Sequence, residues 1–89
     1  MTPGEEEVLE EIRHIAAYEL AIDRPIEPDD ELTGDLQLDS VARLTLVVAL
    51  EDRFRMRIDD HDASHLRTVL DLVRLVDARR PPLQPEAWP

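Results

Sequence analysis

The chain contains no cysteine. Disulfides, a thiolate nucleophile and any cysteine-based metal site are therefore excluded, and a reducing compartment is the natural expectation. Lysine is missing too: all ten basic residues are arginine. Glycine occurs only as Gly4 and Gly34, so there is no glycine-rich phosphate loop. One Phe, one Tyr and one Trp leave any core to Leu, Ile and Val. No apolar run reaches the ~20 residues that a membrane-spanning helix needs. The opening residues MTPGEEEVLEEI are acidic where a secretory signal is basic and then apolar. These absences predict a soluble cytoplasmic protein of one domain, near the lower size limit for folding without a staple.

Negative charge is what the chain has in excess. Residues 1–39 carry thirteen acids against two arginines, a net of −11, while residues 40–89 carry eight of each. The whole excess precedes Ser40. Nucleic-acid backbones and anionic membranes are repelled by such a half, so neither is an expected partner. Basic protein surfaces are attracted, in a salt-dependent way. An acidic face that only maintains solubility is the plainer alternative.

Four helical segments and no convincing strand can be read along the chain. Thr2, Pro3 and Glu5 form a capping-box start. From there Val8, Leu9, Ile12, Ile15, Ala16 and Leu20 follow helical spacing, and the helix should end before Pro25. His14 lies one turn from Glu10 and is expected to pair with it. DRPIEPDDELTGDLQLD, residues 23–39, reads as a long loop anchored by Ile26, Leu32, Leu36 and Leu38, and loops of that length in small domains are often functional. A second helix is predicted from Ser40 to about Arg55. Its apolar side would hold Val41, Leu44, Val47, Val48 and Phe54, widened by Leu46 and Leu50, and its wetter side Ala42, Arg43, Thr45, Asp52 and Arg53. A short turn of helix is expected over 62–66. Thr68 and Asp71 then open a last helix with Val69, Leu72, Val73 and Val76 as its buried stripe. The expected fold class is all-α, a small four-helix bundle over residues 1–80 with three long helices and one short. A proline-rich, flexible tail is expected over 81–89.

Ser40 poses the functional question, because it sits at the foot of the most apolar helix. Either Asp39 or Ser40 can be the N-cap, and a cap is by itself an architectural device. The other reading is that the hydroxyl carries a phosphodiester-linked group. A phosphate there meets free N–H donors and the positive end of the helix dipole. His61, Asp62 and His65 form an HDxxH cluster, whose two histidines four apart can share a helix face and bind a metal; two exposed loop histidines are the default.

From Leu32 to Val76 the chain resembles acyl carrier proteins, through DLQLDSV, LTLVVALEDRF, RIDD and LRTVLDLV. In that family a long loop leads to an Asp-Ser-Leu signature at the start of helix two, and the serine is converted to a 4′-phosphopantetheine ester. The resemblance implies that Ser40 is the attachment point and Asp39 the acidic neighbour used in transferase recognition. It also implies that Leu44, Val48, Leu50 and Phe54 are helix-two core positions, and that Glu51 and Asp52 are its acidic exit. Val41 stands where leucine is common and Gln37 where glycine is usual, so the local turn is expected to differ. The acids that normally line the exposed side of helix two are replaced by Ala42, Arg43 and Thr45. Arg43 is thus either a partner contact or a solvated residue without a role.

The resemblance implies no catalysis by the chain itself. It implies a covalent 4′-phosphopantetheine arm whose thiol carries an acyl group as a thioester, on a free-standing monomer. The implied partners are a phosphopantetheinyl transferase, an acyl-loading enzyme (an acyltransferase or acyl-activating ligase) and a ketosynthase or other pathway enzyme. Recognition would use Asp39, Val41, Arg43, Glu51 and Asp52, in polyketide or other specialised biosynthesis. A carrier of aminoacyl or peptidyl groups is the near alternative, and an unmodified acidic helical adaptor the more distant one.

Overall fold

The computed structural model describes residues 1–81; the expected proline-rich tail lies outside them from residue 82 onward. Four helices follow one another: α1 (Pro3–Glu19), α2 (Ser40–Phe54), α3 (Asp60–Ser64) and α4 (Val69–Arg79). An isolated antiparallel bridge between Glu31 and Thr68 is the nearest approach to a strand among the described residues. The all-α bundle with one short helix is therefore the fold that is found.

Each long helix starts where its capping chemistry dictates. In α1 the Glu5 N–H donates to the Thr2 hydroxyl and the Thr2 N–H to the Glu5 carboxylate, both at 3.1 Å. The helix ends at Glu19, several residues short of Pro25. Ala21 then takes the left-handed conformation, φ 55°, and the Ile22 N–H turns back to the Ala16 carbonyl at 2.9 Å. Val8, Leu9, Ile12, Ile15 and Ala16 are buried, and α1 packs against both α4 and α2. Gly4 permits the approach to α4, since a Cβ there would lie 2.6 Å from a carboxylate oxygen of Asp77.

The start of α4 is sealed on every side. Thr68 and Asp71 form the expected capping box. Two further N–H groups find acceptors in the long loop: Val69 donates to the Asp30 carbonyl at 2.9 Å and Leu70 to the Pro28 carbonyl at 2.8 Å. In return the Leu32 N–H donates to the Arg67 carbonyl at 2.9 Å. The loop is thus seated on α4, with Ile26, Leu32, Leu36 and Leu38 buried as expected. Inside it, Asp30 accepts from the Glu27 N–H at 2.8 Å and pairs with Arg24 at 3.3 Å. Val69, Leu72, Val73 and Val76 are at most 1 % exposed, and each contributes roughly 1.5–3 kcal/mol of burial.

The acidic excess is less free than the charge count implies. Glu11 pairs with Arg53, Glu7 with Arg80 at 3.0 Å and Glu5 with Arg74 at 4.0 Å, so arginines of the second half offset three of the acids of α1. Asp23, Glu27, Asp29, Glu31 and Asp35 keep no ion pair among the described residues, nor do Glu6 and Glu19 of α1, so most of the unpaired acids of the first half lie in the loop. The pairing expected for His14 does not occur. Glu10 goes instead to Arg13 at 3.4 Å, and the His14 ring packs against Tyr18, tilted at 45° with centroids 4.5 Å apart. Guanidinium is the stronger competitor because it is always charged.

Candidate functional site

Asp39 is the N-cap of α2, its carboxylate accepting the Ala42 N–H at 2.8 Å, and Ser40 is the first helical residue. That assignment resolves the two cap readings. It also leaves the N–H groups of Ser40 and Val41 without an acceptor among the described residues, beside an exposed Ser40. The approach turn is kept despite the missing glycine: Gln37 itself adopts φ 56°. A left-handed side-chain-bearing residue costs about 1–2 kcal/mol. Buried Leu36 and Leu38 on either side hold it there.

Below Ser40 a groove of about 660 Å³ runs between α2 and α3. Ser40, Arg43, Leu44, Val47, Val48 and Glu51 fall on one helical stripe and form its α2 wall. Leu32 and Leu38 of the loop and Ile58, Ala63 and Leu66 around α3 complete a mostly aliphatic lining. This corrects two expected core positions. Leu44 is 62 % and Val48 51 % exposed, because they face the groove, while Leu46 and Leu50 are the buried residues of α2. Val41 is also exposed. The expected wet side is corrected as well: Ala42, Arg43 and Thr45 are half-buried, and only Asp52 and Arg53 stay exposed.

Arg43 and Glu51 both turn inward. A terminal nitrogen of Arg43 donates to the carbonyls of Ala63 (3.1 Å) and Leu66 (3.4 Å), bridging α2 to the end of α3. Glu51 accepts the Ile58 N–H at 2.7 Å and so fixes the connector after α2. Helix α3 starts two residues earlier than expected, because Asp59 caps it by accepting the Asp62 N–H at 2.8 Å. Its far side is tied to α4 by Asp62 and Arg79, 2.7 Å apart. The hydrogen bond from Arg79 holds the Asp62 carboxyl below the usual carboxylate range, and Asp62 raises Arg79 in turn.

The phosphopantetheine attachment site family matches residues 10–76. An acyl carrier protein of Micrococcus luteus is 35% identical over 75 residues, covering 83% of this chain and 93% of the relative. The chain belongs to the acyl carrier protein family. One from Myxococcus xanthus is 34% identical over 74 residues, covering 82% and 94%. The crystal structure of a Thermotoga maritima acyl carrier protein superposes with a TM-score of 0.79 at 26% identity, covering 86% of this chain and 91% of the other.

Acyl carrier proteins are carriers rather than enzymes, and 4′-phosphopantetheine is the group that their attachment domain bears. The start of α2 fits such a group: an exposed hydroxyl, two unpartnered N–H groups and the positive end of a fifteen-residue helix converge there. The histidine cluster lies outside the groove lining. The His61 and His65 rings lie tilted at 57° with centroids 4.7 Å apart, and Nδ1 of His65 is 2.8 Å from the His61 carbonyl oxygen. Among the described residues no group of three or more His, Cys, Asp or Glu could hold a metal ion.

Proposed function

We propose that Ser40 is the attachment residue and that the chain tethers acyl intermediates for a polyketide or other specialised pathway. The arm supplies a terminal thiol, on which the cargo rides as a thioester. The observation that carries this reading is the open start of α2: Ser40 is exposed, its own N–H and that of Val41 are unpartnered, and an aliphatic groove begins beside it. The two N–H groups would hold the phosphate oxygens, Asp39 fixes the helix start, and Leu44, Val47 and Val48 would shelter the aliphatic part of a cargo.

The absence of acids along the first turns of α2 supports dedicated partners over a generic fatty-acid system. Val41 is exposed next to the serine, and the first acids of the helix are Glu51 and Asp52. Glu51 is committed to the Ile58 N–H, so partner recognition falls to Asp39, Val41 and Asp52. The partners are a phosphopantetheinyl transferase, an acyltransferase or acyl-activating ligase, and a ketosynthase or comparable enzyme, met by a monomer in the cytoplasm. Among the described residues no helix is long and apolar enough to cross a membrane.

Intact-mass measurement with and without a broad-specificity transferase tests the reading, with peptide mapping expected to place one phosphopantetheinyl group on Ser40. A chain left bare by a competent transferase overturns it. Incubating the holo-protein with loading enzymes then separates acyl from aminoacyl or peptidyl cargo, and the aspartate before Ser40 favours acyl. Melting temperature should rise with acyl-chain length if the groove shelters the chain.

A further inference from the structure

Nine of the ten arginines are either exposed or paired with a carboxylate; Arg43 is neither. Arg13 and Arg80, the other half-buried arginines, pair with Glu10 and with Glu7 and Asp77. Arg43 has no carboxylate within 4 Å among the described residues. It is also the one cation lining the groove. A half-buried charge without a counter-ion is electrostatically incomplete.

One terminal nitrogen of its fork bonds the Ala63 and Leu66 carbonyls; the Nε and the other terminal nitrogen make no bond to the described protein. Arg43 lies three residues after Ser40 on α2, and side chains at that spacing are neighbours on the helix surface, with Cβ atoms about 5–6 Å apart. A guanidinium fork is well suited to phosphate oxygens, since its donors are planar and permanently charged.

We infer that Arg43 is the counter-ion of the arm's phosphodiester. The inference rests on Ser40 as the attachment residue. Pairing occurs through the nitrogens left free by the α3 carbonyls, so one side chain joins the phosphate, α2 and the end of α3. The phosphodiester is then drawn towards the groove rather than released to solvent. An acid in place of Arg43 would repel the phosphate, so this chain favours an arm lying along its own groove.

A thermodynamic cycle separates this role from the support that Arg43 gives α3. Melting temperatures are measured for apo- and holo-protein, the latter confirmed by intact mass, in wild type, Arg43→Ala, Arg43→Gln and Arg43→Lys. The contact with α3 is common to apo and holo forms and cancels in the difference. Attachment of the arm should raise the wild-type Tm on the order of 4 °C more than that of Arg43→Ala or Arg43→Gln. Arg43→Lys should recover part of the increment, and added salt should shrink it. Arg79→Ala, which frees α3 from α4 instead, should leave the increment unchanged. The ³¹P resonance of the holo-protein should shift between wild type and Arg43→Gln, a readout independent of folding stability. Equal increments and an unmoved ³¹P resonance overturn the inference even when the mass shows Ser40 fully modified. A chain that no transferase modifies overturns the attachment reading itself.

Discussion

Two helices of this molecule begin in opposite ways. At α4 the Val69 and Leu70 amides are closed by carbonyls of a distant loop, and Thr68 and Asp71 close the capping box. At α2 one carboxylate caps one amide, and the amides of Ser40 and Val41 are left open beside an exposed hydroxyl. Both starts carry the same partial positive charge from their aligned peptide dipoles. In α4 that charge is used up in holding the fold; in α2 no other part of the described chain covers it. The capping residue does not distinguish the two, since both carry a favourable cap. What differs is whether another part of the chain covers the remaining N–H groups.

The largest effect expected of any substitution is all-or-none. Ser40→Ala should abolish the mass increase on incubation with transferase, while chemical denaturation stays within about 0.5 kcal/mol of wild type, as for an exposed residue that caps nothing. Thr68→Ala should do the reverse. It leaves modification intact and costs about 1 kcal/mol, read as a Tm lowered by roughly 4–8 °C. If Ser40→Ala destabilised as much as Thr68→Ala, the contrast between the two starts would break.

Gln37→Gly should raise stability by up to about 1 kcal/mol, because it removes left-handed strain at the approach to α2, offset in part by glycine's greater entropy when unfolded. Asp39→Asn sharpens the comparison further. Asparagine caps as well as aspartate, so Tm should barely move while transferase kinetics slow; unaltered kinetics would remove Asp39 from recognition. The smallest effect concerns acid. The N–H groups of Thr68 and then Arg67 hold the Asp71 carboxyl below its usual range. The folded state therefore binds this proton less readily than the unfolded chain. The contribution of Asp71 is present above the ordinary carboxylate value of ~3.9 and lost as pH falls below it. Asp71→Asn should flatten the acid limb of a urea-melt series in that window.

Local signals in the sequence were enough for the elements and most of the core. Thr2 with Glu5 and Thr68 with Asp71 are reciprocal pairs three residues apart, and the loop anchors stand out as isolated leucines and an isoleucine among acids. The family was legible for the same reason, since its motif is contiguous. Helix α2 misled because it is apolar on almost every side, so periodicity alone cannot say that Leu46 is buried and Leu44 faces a groove. The inward roles of Arg43 and Glu51 left no local trace either. Arg43 finds its acceptors twenty and twenty-three residues away, and Glu51 finds its donor beyond the end of its own helix. His14 loses Glu10 because the neighbouring Arg13 reaches the same carboxylate with a permanently charged group.

The amides of Val69 and Leu70 reach back some forty residues for their acceptors. Neither the loop nor the first turn of the last helix can complete its hydrogen bonds without the other, so opening one exposes the other. Deuterium uptake at Val69, Leu70 and Leu32 should therefore rise and fall together.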